Sequence, residues 1–205
     1  STLFVSTGTG RSYIFEPQLS YQKELGEIDF NFLVGTTFQS QKTTKLAQSA
    51  FGFASDALIN SLAAANTVTV LNHELTQYNY NALFGRLNIN LHKKYIVNLT
   101  GRRDGSSRFG PDNRFANFGA VGAVWLFSNE DIIKEHNSII SFGKLRGSYG
   151  ITGNDQIGDY QYLDTYKVSP YVYDGVVGLL PSRLYNSDFG WETNKKFELA
   201  LELGF

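Results

Sequence analysis

The stretch WETNKKFELALELGF (191–205) sets Phe197, Leu199, Leu201, Leu203 and Phe205 on alternate positions, with Glu198, Ala200, Glu202 and Gly204 between them. Successive side chains of an extended strand point to opposite faces, so the stretch reads as a strand with one greasy face and one polar face. The same period of two recurs upstream. Tyr13, Phe15, Leu19 and Tyr21 oppose Glu16, Gln18, Ser20 and Gln22, and Ile28, Phe30, Phe32, Val34 and Phe38 oppose Asp29, Asn31 and Thr37. Leu83, Leu87, Ile89 and Leu91 stand against Arg86, Asn88 and Asn90, and Tyr95, Val97 and Leu99 against Asn98, Thr100 and Arg102. Leu145 and Tyr149 alternate with Lys144, Arg146 and Ser148.

Strands are expected at about 11–24, 27–40, 74–91, 95–103, 115–127, 139–152 and 191–205. Most exceed the five or six residues common in soluble sheets and suit a tilted membrane strand of roughly 9 to 11 residues plus an extension. The connections alternate too: Leu25-Gly26 and His92-Lys93-Lys94 are tight, whereas 41–73, 104–114 and 153–190 are long. Membrane barrels show this asymmetry, with short turns on one side and long loops on the other. On the short-turn side, SNEDIIKEHNS (128–138) is expected to hold one helical turn opening with Glu130 and Asp131 and capped by Ser128 or Asn129. A second short helix is expected at Ser55–Ala65 from the spacing of Ala54, Leu58, Leu62 and Ala65. Tyr21, Phe30, Tyr95, Trp125, Phe127 and Phe205 gather toward the short-turn side, which suits an interfacial girdle; the plainer alternative is that aromatic residues favour strands. Pro17 lacks a ladder donor and is expected to mark a bulge.

Composition narrows the classes. Of 205 residues 42% are hydrophobic and 18% charged, an ordered composition. With 18 basic against 19 acidic residues, the chain lacks the cationic excess of a nucleic-acid or polybasic membrane-surface binder. The absence of cysteine excludes disulfides and thiolate metal sites, and His73, His92 and His136 lie far apart in sequence. The longest apolar run, GAVGAVWLF (119–127), is far short of the roughly 18 to 20 residues of a membrane-spanning helix, a test that spanning strands escape because their apolar residues alternate.

Two stretches carry candidate chemistry. RRDGSSRFGPDNRF (102–115) has the glycines, serines and arginines of an anion cradle, but not the P-loop's lysine and spacing, and no helix pattern follows it. Asp104-Gly105 and Pro111-Asp112-Asn113 make it a hairpin excursion, with Arg102, Arg108 and Arg114 set to meet carboxylates of neighbouring loops or, alternatively, a substrate. The second stretch begins at Asn154 and interleaves Tyr160, Tyr162, Tyr166, Tyr171 and Tyr173 with Asp155, Asp159, Asp164 and Asp174. Rings that stack on sugar faces beside carboxylates that accept hydroxyl hydrogens suit glycan binding; the plainer reading is a small core for a long loop. Tyr160, Tyr162 and Asp159 are the ligand candidates there. The acid spacing does not match an EF-hand. No nucleophile–base set emerges, and Glu198 and Glu202, roughly 13 to 14 Å apart along a strand, are too far apart for a glycosidase pair. No catalytic residue, cofactor or metal is therefore assigned.

Several blocks resemble the SusC/RagA family of TonB-dependent outer-membrane transporters: FEPQLSYQK (15–23), LVGTTFQ (33–39), LFGRLN (83–88), RRDGSSRFG (102–110), LRGSYGITGN (145–154) and WETNKKFELALELGF (191–205). Asn113-Arg114-Phe115, Gly119-Ala120 and Leu126 depart from the family's usual residues. The resemblance implies an all-β fold, with residues 1–205 forming about seven antiparallel strands of a plugged transmembrane barrel of about 22 strands, and short helices in loops. The signal sequence, plug and TonB-contacting segment are expected outside these residues. The resemblance further implies import of oligosaccharides or peptides across the outer membrane of a Gram-negative bacterium, with a SusD-like surface lipoprotein and TonB as partners. A soluble β-sandwich carbohydrate-binding module, its apolar face turned inward, is the alternative from alternation alone.

Overall fold

The computed structural model describes residues 1–136 and 141–205. The strands are β1 (Thr2–Phe15), β2 (Gln18–Leu25), β3 (Ile28–Phe51), β4 (Thr67–Leu91), β5 (Tyr95–Ser106), β6 (Phe115–Trp125), β7 (Phe142–Asn154), β8 (Thr165–Tyr173), β9 (Val176–Arg183) and β10 (Glu192–Gly204). The main sheet runs β1-β3-β4-β5-β6-β7-β10, with β2 also paired to β3, while β8 and β9 form a separate hairpin. β1 and β2 replace the single expected strand at 11–24. The break falls at Glu16-Pro17, because proline has no N–H to give the ladder; its carbonyl still accepts from Thr36 N at 3.1 Å. With β1 and β2 sharing the flank of β3, the seven expected spans are present. Residues 139 and 140 of the expected 139–152 strand lie outside the described residues.

Two compact units divide the chain, Ser1–Ile14 with Gln39–Asn79 and Phe15–Phe38 with Tyr80–Phe205, and β3 and β4 contribute to both. In the smaller unit β3 continues to Phe51 and β4 begins at Thr67, so most of the loop expected at 41–73 is strand. Threonines and valines favour the extended backbone there, and Ala50 is fully buried. The helix expected at 55–65 is instead two 3₁₀ turns, Asp56–Leu58 and Leu62–Ala64, the first capped by Ser55 Oγ accepting from Ala57 N at 3.1 Å. So short a segment cannot sustain an α-helix without packing, and Leu58 is exposed.

In the larger unit the described ladders are antiparallel, and their register gathers like residues into rows. Leu87, Leu99, Val121, Tyr149 and Phe197 lie side by side across five strands, as do Ile89, Val97, Ala123, Gly147 and Leu199. Leu91, Tyr95, Trp125, Leu145 and Leu201 form a third apolar row. The row between the first two, on the other face, is Asn88, Asn98, Gly122, Ser148 and Glu198.

The tight connections are all on one side. His92 and Lys93 take positive φ (54° and 55°), the pair that a type I′ hairpin turn demands, and Gly26 does the same at 63°. The third connection holds a 3₁₀ turn, Phe127–Asn129, and helix α1, Asp131–His136, where a helical turn was expected. Asn129 Nδ2 donates to Lys93 O at 2.8 Å, tying this connection to the neighbouring turn.

Candidate functional site

The apolar rows remain uncovered: Phe197, Leu199 and Leu201 are 71, 67 and 60% exposed. A sandwich would bury this face under a second sheet, so the sandwich alternative does not describe this sheet. On β4 the greasy positions run from Leu83 to Leu91, eight residues or about 27 Å along the strand and about 21 Å of height at a tilt near 40°, close to a barrel's apolar band. On β10 they run from Phe197 to Phe205, and because Phe197 is paired in the Leu87 row, the band there is displaced by four residues toward the short turns. A band that steps along tilted strands in this way stays level while the rows climb, as in a barrel wall.

The opposite face is polar and internally paired. Asn88 Nδ2 donates to Asn98 Oδ1 at 2.5 Å, and Asn90 Nδ2 to Asp29 Oδ2 at 3.4 Å. Glu202 receives both Lys144 Nζ at 3.2 Å and Arg146 Nε at 3.1 Å. A shallow depression of about 280 Å³ lies along Asn98, Thr100, Ala120, Arg146, Ser148 and Glu198. These groups can hydrogen-bond water, a polar solute or another protein surface.

At the long-loop end, Arg102 Nε donates to both oxygens of Asp104 at 2.8 and 2.9 Å, and Nη2 to the Tyr80 hydroxyl at 2.6 Å. This trio stands on the polar face. Further on, Ser106, 1% exposed, donates from Oγ to Asp155 Oδ2 at 2.7 Å and accepts from Arg108 N. Arg108 Nε donates to Asp159 Oδ1 at 3.0 Å and Nη1 to Asp155 O at 3.1 Å. Phe109, with no exposed surface, packs against Trp191 at 5.2 Å between ring centres, and Trp191 meets Phe118 edge-on at 5.5 Å. Asn113 Nδ2 donates to Ser187 O and Phe189 O. The 107–114 and 155–191 loops are thus fastened by a polar clamp and an aromatic core.

The candidate ligands divide accordingly. Arg108 and Asp159 bond each other in the clamp, and Arg102 faces the polar side of the wall. Tyr162 stacks edge-on to Tyr185 at 6.4 Å, as the loop-core reading expects. Tyr160 is half-exposed at a positive φ of 59°, an uncommon conformation for a bulky residue. Arg114 Nε is buried with no partner among the described residues, while its carbonyl accepts from Ser106 N and Trp191 Nε1. Sequence reasoning did not single out Ser106, Phe109 or Trp191. Their partners lie far away along the chain, beyond the reach of periodicity or spacing.

On the short-turn side Glu130 gathers Tyr95 OH at 2.7 Å, Trp125 Nε1 at 3.0 Å and Lys94 Nζ at 3.2 Å. The Tyr95 hydroxyl first, then the indole N–H and Lys94, hold its carboxyl down to about 2. Glu130 and Asp131 in turn raise Lys94. Trp125 also meets Phe127 edge-on at 5.7 Å, and Tyr21 meets Phe30 at 6.4 Å, so these expected girdle aromatics are paired.

Residues 2–205 match the family model described as TonB dependent receptor-like, beta-barrel. The chain belongs to the TonB-dependent receptor β-barrel family. It is 31% identical over 196 residues to the TonB-dependent receptor SusC of Bacteroides thetaiotaomicron, covering 91% of this chain and 19% of SusC. It is 32% identical over 205 residues to TonB-dependent receptor P26 of Formosa agariphila, covering 97% of this chain and 20% of that receptor. Among solved structures, the RagAB peptide importer in its closed-closed state superposes with a TM-score of 0.84 at 28% identity, and the RagAB peptide transporter with 0.82 at 30%; each covers 98 to 99% of this chain and 22% of the other. The family likeness is therefore to the SusC/RagA group, and the chain spans about a fifth of the length of the curated relatives it matches. TonB-dependent receptor barrels are transporters and receptors rather than a class of enzyme. In such a barrel the apolar rows face lipid and the polar face lines the lumen.

Proposed function

We propose that the protein carrying this chain is a TonB-dependent importer of oligosaccharides or peptides in the outer membrane of a Gram-negative bacterium. Residues 1–205 supply part of a single barrel domain, contributing lipid-facing wall and substrate-facing outer loops. The observation that carries this reading is the exposed, stepwise-displaced apolar band on long antiparallel strands whose other face is polar. Likeness to SusC and to the RagAB peptide importer supports transport of a polymer-derived nutrient, captured with a SusD-like surface lipoprotein and released inward through TonB. Arg102, beside Tyr80 at the outer mouth of the lumen, and Tyr160 and Arg114 on the loops are the groups we assign to substrate contact. Arg108, Asp159 and Tyr162 shape the loops that present them.

Uptake of fluorescent oligosaccharides and of fluorescent peptides by cells expressing the full-length protein tests the reading. Accumulation of one class that disappears when TonB is deleted is the expected result. Recovery of the full-length protein as a detergent-free soluble species would refute it.

A further inference from the structure

Four strand glycines of the larger unit owe their place to a ring: the space a Cβ would take at Gly35, Gly105, Gly143 and Gly153 is filled by Phe84, Phe115, Phe127 and Phe118. Gly122 is different. A Cβ there would meet Ser148 Cβ at 3.7 Å, Gly147 O at 3.8 Å and Asn98 Cβ at 3.9 Å, all ordinary contacts, so a side chain would fit and none is present. Gly122 sits in unbroken ladders, paired with Asn98 on β5 and Ser148 on β7, and makes no bulge. Glycine weakens the middle of a strand; where it serves neither a bulge nor a neighbouring ring, it marks a place that something outside the sheet approaches closely.

The inward neighbours of Gly122 are small as well. Ala120 and Gly150 lie in the next inward row toward the long loops, and Ala200 in the next toward the short turns. Larger inward residues stand around them, Asn98 and Thr100 on β5, Arg146 on β7 and Glu198 on β10, and bound the depression of about 280 Å³. The centre of the apolar band passes from Leu87 on β4 to Leu201 on β10, which places it near Ala123 on β6 and Arg146 on β7. The depression therefore lies about midway through the wall, on the lumen side.

The charges around it are settled within the wall. Inward positions of β7 and β10 carry three cations, Lys144, Arg146 and Lys196, and three carboxylates, Glu192, Glu198 and Glu202. Lys196 Nζ lies 2.6 Å from Glu198, and Arg146 Nε and Lys144 Nζ lie 3.1 and 3.2 Å from Glu202, while Glu192 accepts from Asn154 at 3.0 Å. Wall charges buried under a permanent protein cover are costly unless the cover helps to pair them. This wall asks no such help. It offers the lumen an apolar floor of Ala120, Gly122 and Ala200, edged by Ser148 Oγ and Asn98 Nδ2, which have no partner among the described residues.

We propose that this depression is a transit site, a weak binding site on the inner wall for one unit of an uncharged solute rich in hydroxyl or amide groups as it crosses the lumen. At about 280 Å³ it falls just below the roughly 300 to 1,000 Å³ of pockets that enclose a whole ligand, so it seats one unit of a longer chain. The apolar face of that unit lies over Gly122 and Ala200, while Ser148, Asn98 and the Nη atoms of Arg146 exchange hydrogen bonds with its polar edge. Passage through a membrane protein needs sites firm enough to enter and loose enough to leave, and a shallow seat without net charge is of that kind. The site rests on the import reading proposed above and is separate from the outer-mouth groups assigned to substrate there.

The test uses cells expressing the full-length protein and measures import of a fluorescent neutral oligosaccharide and of a fluorescent peptide blocked at both ends, each beside a counterpart carrying one carboxylate. Gly122→Phe and Ala200→Phe fill the depression from two different strands. Each should slow import of the neutral probe that the wild type accumulates by about five- to tenfold, the worth of one hydrogen-bonded contact in the barrier. Surface binding of that probe, measured in cells lacking TonB, should keep its wild-type Kd. Glu198→Gln leaves Lys196 without its partner and should raise the ratio of carboxylated to neutral import about threefold, the effect of one net charge roughly 7 Å away through water. Ser20→Phe, at an inward position of β2 outside the depression, should leave the rate unchanged.

An unchanged rate in Gly122→Phe and Ala200→Phe barrels whose heat-modifiable gel mobility shows them folded overturns the site. Equal slowing by Ser20→Phe overturns it too, because any narrowing of the lumen would then suffice. An unchanged ratio in Glu198→Gln overturns the choice of an uncharged solute. Entry into Gly122→Phe cells of a large antibiotic that the outer membrane excludes assigns the depression to the plug and overturns the solute as its occupant. Wild-type cells that accumulate neither probe through TonB would instead refute the import reading.

Discussion

Arginine introduced along the outward face should cost most where the apolar band is deepest. On β4 the band runs from Leu83 to Leu91, so Leu87 is its middle and Leu83 its outer edge; on β10 it runs from Phe197 to Phe205, with Leu201 at its centre. A cation at the midplane of a barrel's lipid face costs about 2 to 4 kcal/mol, against about 0 to 1 near the interface. Leu87→Arg and Leu201→Arg should therefore each lose about 2 to 4 kcal/mol, and Leu83→Arg no more than about 1. Because Leu201 is paired in the Leu91 row rather than the Leu87 row, the two midplane positions agree only if the strands are tilted. Reversible denaturant unfolding of the full-length protein in phosphatidylcholine vesicles, followed by tryptophan emission, measures all three. Equal losses at Leu83 and Leu87 would refute the lipid-facing band and favour a face buried against protein. A large loss at Leu87 with none at Leu201 would refute the tilt.

The loop clamp and the short-turn cluster give further tests. Arg108→Ala should accelerate amide exchange through 155–163, and a double-mutant cycle with Asp159→Ala should return a coupling of about 1.5 to 3 kcal/mol, since both side chains are mostly shielded. Phe109→Ala empties the centre of the aromatic core and should cost about 3 to 5 kcal/mol locally, read as protease sensitivity of the 155–191 loop; unchanged sensitivity would mean the core does not hold the loops. Glu130 is depressed in the folded state, so its contribution is complete above its ordinary value of 4.5 and is lost as the pH falls toward about 2. Amide protection of the 126–133 turn should decline over that window, and Glu130→Gln should flatten the decline.

What was legible depended on contrast. Leu87 to Leu91 and Phe197 to Phe205 were readable because lipid and lumen select opposite residues at a period of two. The smaller unit's part of β3, QSQKTTKLAQSAF (39–51), lacks that contrast, so beyond residue 40 the strand is not legible in the sequence. The β8–β9 hairpin carried a local signal in Asp174-Gly175, whose φ values of 49° and 75° make its turn, but the interleaved tyrosines and aspartates drew the reading toward a binding loop. Ser106 with Asp155 and Arg108 with Asp159 are juxtaposed only because β5, β6 and β7 are paired. The motif arginines were visible as a group, but which of them bind one another was decided by the fold.

The chain has no cysteine, which makes the central claim directly measurable. Single cysteines placed in turn at 197 through 203 of the full-length protein, with any cysteine elsewhere replaced, can be labelled with a small fluorophore in vesicles. Brominated lipid should quench probes at 197, 199, 201 and 203, while aqueous iodide should reach 198, 200 and 202. Quenching by iodide at every position, or by lipid at none, would contradict a membrane-spanning barrel wall.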